Sequence, residues 1–134
     1  MFETLFQKFD GLFASGRVLS CEDVLHELKK NGEDEVYKWA RIHKGIFRPI
    51  DGPSIQSVVS DILDQFPKLL DTRTDRSGAD PWVIGLAEVE KCTVVTQERA
   101  TGRPQRPNIP DVCQARKVPV IGVLDLIRAE GWKT

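Results

Sequence analysis

The segment ADPWVIGLA at residues 79–87, with CTVVT at residues 92–96 shortly after it, decides the fold class. The pair Asp80-Pro81 predicts a helix start, because Asp is favoured at the N-cap and Pro at the first helical position. The second segment is β-branched at most positions, which is typical of a strand buried on both faces. A helix followed by such a strand predicts an α/β fold, in which helices cover a short parallel sheet.

The rest of the chain continues this alternation of helices and short strands. Near the start, Phe and Leu recur at helical spacing and predict an amphipathic helix with the apolar stripe Phe2, Leu5, Phe6, Phe9, Leu12 and Phe13. Further helices are predicted at about 21–30, 36–42, 53–66, 110–115 and 123–129, and short strands at about 46–50 and 118–121. Polar segments with Gly or Pro predict surface loops at 71–80 and 97–110.

Composition limits where the protein acts and what it binds. A length of 134 residues suits one domain, and we expect residues 1–134 to form it. Nineteen basic and twenty acidic side chains give a net charge of −1, so any nucleic-acid binding must come from a local patch. The first residues lack a long apolar run and predict neither a signal peptide nor a membrane span. The three Cys are scattered and form no Cys-x-x-Cys pair, which favours a reducing compartment. Together with the lack of a predicted signal peptide, this pattern favours a cytoplasmic protein.

Acidic side chains at the ends of predicted elements are the strongest candidates for chemistry. The sequence has no phosphate-binding glycine loop, no HExxH and no GxSxG motif. The candidate acids are Glu27, Asp80, Glu98 and Asp111. Strand ends and the following helix starts open onto one edge of a parallel sheet, so the last three acids are expected there. Gathered carboxylates favour a hard cation such as Mg²⁺ or Mn²⁺, which can activate water at a phosphodiester.

Each acid also has a purely structural interpretation. Asp80 and Asp111 are at positions where Asp commonly caps a helix. Glu27 fits a solvated acid on a helix flank, and Glu98 fits an incidental loop acid. Spacing alone favours these structural interpretations over a metal site.

Three segments of the C-terminal half carry a resemblance to a known family. They are ADPWVIGLA at 79–87, VVTQE at 94–98 and IPDVCQARKVPVIGVLDLIRAEGW at 109–132. They resemble a family of bacterial PIN-like proteins, which is similar to the VapC toxin ribonucleases. The segment VLSCEDVLHELKK at 18–30 resembles the PIN helix in which a Glu-Leu pair supplies a metal-facing acid. The resemblance implies a PIN-like three-layer α/β/α fold and a metal-dependent endoribonuclease of toxin–antitoxin type.

The resemblance also implies roles for individual residues. The catalytic and metal-binding acids would be Glu27, Asp80 and Glu98, with Mg²⁺ or Mn²⁺ as the ion. Thr96 would be the small polar residue beside Glu98, and Asp111 would either bind metal or cap its helix. RNA phosphates would meet the loop arginines Arg99, Arg103 and Arg106, which could equally serve only to solubilise the loop. The implied partners are an RNA substrate and a cognate antitoxin protein.

The chain departs from the family at its start. PIN-like proteins begin with an apolar strand that ends in a metal-binding Asp and lies in the middle of the sheet, whereas this sequence begins at the helix that would follow it. We therefore expect an N-terminally incomplete domain without its central first strand, leaving a gap of roughly 9–10 Å. A start assigned downstream of the strand, closure of the flanking strands or a strand from a partner would each account for it.

Two further expectations follow from this departure. A homodimer would shield the Phe stripe or the exposed sheet edge. Loss of the first acid would weaken metal binding, so the alternative function is a catalytically degenerate PIN-like domain that acts as a protein-binding module.

Overall fold

The computed structural model describes residues 4–30, 32–69, 80–103 and 107–132. These ranges form a mixed α/β structure, which confirms the predicted fold class. In chain order the elements are α1 Leu5–Ala14, β1 Ser20–Cys21, α2 Glu22–Lys30, α3 Glu35–Ile42, β2 Phe47–Arg48, α4 Pro53–Gln65, α5 Asp80–Glu90, β3 Val94–Val95, α6 Ile109–Arg116, β4 Val120–Ile121 and α7 Val123–Ala129. None of the helices in these ranges has the length and apolarity needed to cross a bilayer.

Helix α1 confirms the predicted amphipathic helix. It begins with a capping box, in which Thr4 Oγ1 accepts the Gln7 backbone N–H at 3.1 Å and Gln7 Oε1 accepts the Thr4 N–H at 2.8 Å. Two residues of its apolar stripe, Phe9 and Phe13, pack against aromatic rings elsewhere in the chain. The Phe9 ring lies edge-on to Trp132 at 5.3 Å, and the Phe13 ring lies 4.7 Å from that of Trp39. Phe2 of the predicted stripe lies outside the described residues.

The strands pair in parallel, as expected for an α/β fold. Strand β1 pairs with β2, with Ser20 opposite Phe47, and β3 pairs with β4, with Val94 opposite Val120. Within the part of the chain that the structure describes, these are two separate two-stranded sheets. In these ranges β1 and β3 are therefore not hydrogen-bonded to each other as one sheet.

Several strands are shorter than predicted. The segment 46–50 keeps only Phe47–Arg48 as a strand, preceded by a 3₁₀ turn at Lys44–Ile46. Pro49 follows it and lacks the N–H that a longer ladder would need. The helix predicted at 21–30 begins one residue later, because Cys21 lies in β1 and is fully buried.

Two apolar clusters form the core. The first, which we call the β3 cluster, includes Ile84, Val94 and Val112, and the second, the β1 cluster, includes Cys21, Ile55 and Leu86. Helix α5 contributes to both clusters and joins them. Helices α4 and α5 pack closely at a helical glycine, where a Cβ on Gly85 would lie 2.7 Å from Val59 Cγ2.

Arg116 on α6 forms hydrogen bonds to side chains on two other helices, α5 and α4. Arg116 of α6 donates through Nε and Nη2 to the two oxygens of Glu88 on α5, at 2.6 and 2.9 Å. Its Nη1 also donates to Gln65 Oε1 of α4 at 3.2 Å. The hydrogen bonds from Arg116 lower the pKa of Glu88. A two-pronged, partly buried pair of this kind stabilises more than an exposed ion pair.

Replacing Arg116 with Gln is expected to lower the free energy of unfolding by about 1–2 kcal/mol, because the half-buried Glu88 carboxylate loses both donors. Urea denaturation followed by circular dichroism measures the change. Arg128→Gln is the matched control, since Arg128 is 77% exposed and lies 3.9 Å from Asp125; its effect should stay within about 0.5 kcal/mol. Equal effects of the two substitutions would contradict a special role for the Arg116 contact.

Candidate functional site

Glu98 lies where strand β3 ends and helix α6 begins. Thr96 extends the ladder after β3 by donating its backbone N–H to Ile121 O at 3.0 Å. Its Oγ1 then accepts the Glu98 backbone N–H at 3.1 Å, which turns the chain away from the strand. Glu98 Oε1 accepts the N–H of Ile109, the first residue of α6, at 3.4 Å. A carboxylate is favoured at this position because the N-terminus of a helix carries partial positive charge.

Asp111 fastens the loop that runs from Glu98 to α6. One carboxylate oxygen accepts the backbone N–H groups of Thr101 and Gly102, at 3.0 and 2.9 Å. The other accepts from Thr101 N–H at 2.9 Å, Thr101 Oγ1 at 3.1 Å and Asn108 N–H at 2.7 Å. Asp111 also completes a capping box with Asn108, the N-cap of α6. Both of its oxygens are therefore occupied by contacts that shape the loop and cap the helix.

The electrostatics of Asp111 agree with this role. Burial raises the pKa of its carboxyl group, but the backbone N–H groups of Thr101, Asn108 and Gly102 and the Thr101 hydroxyl lower it by more, so the net pKa is below the usual value. The folded protein therefore favours the ionised form of Asp111.

The loop held by Asp111 presents basic side chains to solvent. Asn108 Nδ2 donates to Arg99 O at 2.9 Å, and the Arg103 N–H donates to Thr101 Oγ1 at 3.1 Å. The side chains of Arg99 and Arg103 are exposed. Arg106, the third arginine of the prediction, lies outside the described residues. The described part of the loop backbone, residues 99–103, is thus held by Asn108 and Asp111, while two of its cations are exposed.

Glu27 and Asp80 lie on elements that border the β1 cluster. Glu27 is in the second turn of α2, and its charge acts on the thiol of Cys21. Asp80 is the first residue of α5, two residues before Trp82, which packs against the same cluster. Thr96, Glu98 and Asp111 instead lie beside the β3 cluster. Among the residues that the structure describes, no three His, Cys, Asp or Glu side chains form a group that could hold a metal ion.

Two polar residues at the β3 edge were not among the sequence candidates. Asn108 caps α6 and holds the Arg99 carbonyl. Asp125 accepts the Gly122 N–H at 3.0 Å, and a Cβ on Gly122 would lie 3.5 Å from Asp125 Oδ2 and 3.8 Å from Thr96 O. Asp125 therefore adjoins the end of β3. The signal that could have found it is the Gly-x-x-Asp spacing directly after the last strand, which is that of a helix cap.

A model of one protein family matches residues 1–134, and its description is Domain of unknown function (DUF4411). The chain belongs to this family. A search of curated proteins and a search of solved structures each found no match for the DUF4411 chain.

Thiol chemistry is disfavoured at two positions of this DUF4411 chain. Burial raises the pKa of the Cys113 thiol to about 11, and burial also raises that of Cys21. Both side chains are fully buried. Since the thiolate is the nucleophile, neither residue is suited to attack a substrate near neutral pH.

Proposed function

We propose that this DUF4411 chain is a PIN-like, metal-dependent endoribonuclease of toxin–antitoxin type. The observation that supports it best is the position of Glu98 at the junction of β3 and α6, on the anchored loop that carries Arg99 and Arg103. A carboxylate beside exposed guanidinium groups suits a phosphodiester substrate, because the acid can hold a cation while the arginines bind phosphate oxygens. In this proposal the two parallel strand pairs belong to a three-layer α/β/α domain of PIN-like type.

The ion of the proposal is Mg²⁺ or Mn²⁺. Its ligands would be Glu27, Asp80 and Glu98, with Thr96 beside Glu98. The donor set fits in kind, since all three acids offer the oxygen ligands that these ions prefer. Among the described residues no three His, Cys, Asp or Glu side chains form one group, and Mg²⁺ can be held by one or two protein carboxylates together with waters and the substrate phosphate. Such an ion lowers the pKa of a bound water and stabilises the charge of the transition state.

The roles of the acids differ in the proposal. Glu98 engages Oε1 with the N–H of Ile109, so that helix α6 orients its carboxylate. Asp111 uses both oxygens to hold the loop, and we assign it a positioning role rather than a place among the ligands. Arg99 and Arg103 supply the local positive charge that the net charge of −1 cannot provide. An RNA substrate, a cognate antitoxin and a homodimer are the partners that the proposal includes.

The test is cleavage of a structured RNA by the purified chain. We expect cleavage with Mg²⁺ or Mn²⁺ and none with EDTA. Asp80→Asn and Glu98→Gln keep the shape of each side chain but remove its charge, and each should lower the rate by about 100-fold or more. Product formation on a denaturing gel measures the rate.

The matched control is Glu35→Gln, which removes one negative charge from α3 at a side chain that is 94% exposed. This variant should cleave like the unmodified chain. Cleavage that persists in EDTA, or that Glu98→Gln leaves unchanged, would remove Glu98 and the metal from the mechanism. If no RNA is cut under any metal condition, the proposal fails and the protein-binding alternative takes its place.

A further inference from the structure

The loop after β3 carries exposed positive charge beside Glu98. Arg99 and Arg103 lie in the stretch 99–103, in which every residue is exposed. A surface loop usually samples many conformations, so a ligand that binds to it must offset the conformational entropy that the loop loses. A contact that orders the loop before the ligand arrives therefore raises the affinity for that ligand.

The hydroxyl group of Thr101 joins two parts of this loop region. Its Oγ1 accepts the Arg103 backbone N–H at 3.1 Å and lies 3.1 Å from Asp111 Oδ2. A hydroxyl has one proton to donate, and Arg103 O, at 3.4 Å, is the more distant and uncharged acceptor. We therefore assign the proton to the Asp111 carboxylate, since hydrogen bonds to an ionised acceptor are the stronger ones. The hydroxyl thus links helix α6 to the backbone of Arg103.

The backbone of Arg99 is held by the same helix. Asn108, the N-cap of α6, donates through Nδ2 to Arg99 O at 2.9 Å. Between the two arginines the chain turns at Gly102, whose φ of +69° lies in the left-handed region that favours glycine. The N-terminus of α6 therefore holds the backbones of Arg99 and Arg103, while both side chains stay exposed.

Capping of α6 does not account for the Thr101 hydroxyl. The capping box of this helix consists of Asn108 and Asp111, and Asp111 Oδ2 accepts the Asn108 N–H at 2.7 Å. Asp111 Oδ1 accepts the backbone N–H groups of Thr101 and Gly102. To these contacts the hydroxyl adds the link from Asp111 to the Arg103 N–H. A substitution that removes only the hydroxyl should therefore keep the helix cap and release Arg103.

The separation of the two arginines suits phosphates of one strand. Arginine binds phosphate oxygens through a planar fork of N–H donors. Four steps of chain, from Arg99 to Arg103, span at most about 14 Å. Successive phosphates of a nucleic-acid strand lie about 3.4 Å apart along the helix axis. The two guanidinium groups can therefore bind phosphates that are a few nucleotides apart.

We infer that Thr101 is a positioning residue for RNA binding, because its hydroxyl links Asp111 to the Arg103 backbone and so preorganises Arg99 and Arg103 as a clamp on two phosphates of one strand. The inference deepens the proposed function and rests on it only for the choice of RNA as the ligand, which a binding assay tests directly. Thr101 acts through the two arginines, so it contributes to affinity and not to the cleavage step.

The test measures binding in EDTA, where the proposed cleavage does not occur. Fluorescence anisotropy of a fluorescein-labelled oligouridylate, titrated with the full chain, gives Kd. Thr101→Val keeps the shape of the side chain and removes the hydroxyl, and it should raise Kd by about 5- to 10-fold. Thr101→Ser restores the hydroxyl and should stay within about 2-fold of the unmodified chain. Lys38→Ala, which removes one positive charge from a 64% exposed side chain on α3, should stay within the same range.

A double-mutant cycle separates positioning from a purely structural role. Removing both guanidinium groups, with Arg99→Ala and Arg103→Ala, should weaken binding and lower the slope of log Kd against log salt by about 1.4, since each phosphate contact to a single strand contributes about 0.7. In that background Thr101→Val should have no further effect on Kd, because the groups that it positions are gone. In cleavage assays with Mg²⁺, Thr101→Val alone should raise KM and leave kcat unchanged.

Three results would overturn the inference. They are an unchanged Kd in Thr101→Val, an effect of Thr101→Val that persists after both arginines are removed, and a lack of oligouridylate binding by the unmodified chain. Circular dichroism checks that each variant is folded. If Thr101→Val does not fold, Gly102→Ala decides in its place, because it keeps the hydroxyl and strains the turn at φ +69°; normal RNA binding by that variant would overturn the inference.

Failure of the ribonuclease proposal gives a different result. Oligouridylate that is bound in a Thr101-dependent manner, but is cut under no metal condition, would remove the nuclease activity and support the role of Thr101. Metal-dependent cleavage with a Kd and KM that Thr101→Val leaves unchanged would support the nuclease and overturn the role of Thr101.

Discussion

Replacing Gly85 with Val is expected to lower the free energy of unfolding by about 3 kcal/mol, which is at the upper end of the cost of overpacking a core. A Cβ at position 85 would lie 2.7 Å from Val59 Cγ2 and 3.6 Å from Ile55 Cγ1. The Val59 side chain is 3% exposed and β-branched, so it has little room to rotate away. Helices α4 and α5 would have to move apart, and both core clusters would loosen. Thermal and urea denaturation measure the loss.

An alanine series separates this clash from the ordinary effect of glycine in a helix. Gly11→Ala in α1 meets no atom within 4 Å, so it should stabilise the protein by up to about 1 kcal/mol through helix propensity. Gly85→Ala gains the same propensity but should still destabilise, by about 1 kcal/mol. Combining Gly85→Ala with Val59→Ala should cost less than the two separate losses together. Stabilisation by Gly85→Ala alone would show that the helices part easily.

Replacing Asp111 with Ala should lower the free energy of unfolding by about 2–3 kcal/mol, because the Thr101, Gly102 and Asn108 N–H groups lose their acceptor together. The substitution should lower both the stability of the whole fold and the local stability of the loop that Asp111 holds. Hydrogen exchange of the Thr101 and Gly102 amides is expected to accelerate more than that of the Val112 amide. Asp64→Asn on α4, at an exposed side chain, is the matched control for removal of one charge and should leave these rates unchanged.

The stabilisation by Asp111 should depend on pH. Its pKa is lowered in the folded protein, so the unfolded state takes up the proton first as pH falls. The contribution is therefore fully present above the unfolded value of about 4 and is lost as pH falls through the lower folded pKa. The difference in stability between the unmodified chain and Asp111→Asn should be constant from pH 5 to 8 and shrink below about pH 4. A difference that grows on acidification would contradict the proposed role of the ionised carboxylate.

Much of the candidate site near β3 could be predicted from the sequence. The Val-Val-Thr-Gln-Glu segment places Thr96 and Glu98 just past a strand, and the structure has them there. The role of Asp111 stayed open between capping and metal binding, because both roles use the same residue at a helix start. The structure shows that Asp111 accepts the backbone N–H groups of Thr101 and Gly102, about ten residues earlier, and so stabilises the loop. These hydrogen bonds cannot be recognised from the sequence.

Short-range physics explains what the sequence by itself determined. Helix α1 follows from the periodicity of its Phe and Leu residues, helix α5 from Asp80-Pro81, and the α/β class from their alternation with β-branched segments. Helix caps and periodic apolar positions involve residues only a few positions apart in the chain, so they can be recognised from the sequence alone. The predicted strand at 46–50 is longer than the observed β2, because a strand ends where its partner ends. The partner β1 lies 27 residues earlier in the chain, with Ser20 opposite Phe47.

Only the tertiary structure decided which strands pair, where α4 and α5 touch and where space remains between the sheets. Gly85 looks in sequence like any helical glycine, and the 2.7 Å approach of Val59 arises from a helix that is separate in the chain. The division into two parallel pairs and the open groove beside them depend on contacts between residues far apart in sequence. Such contacts depend on the simultaneous packing of all elements, so a local sequence pattern does not predict them.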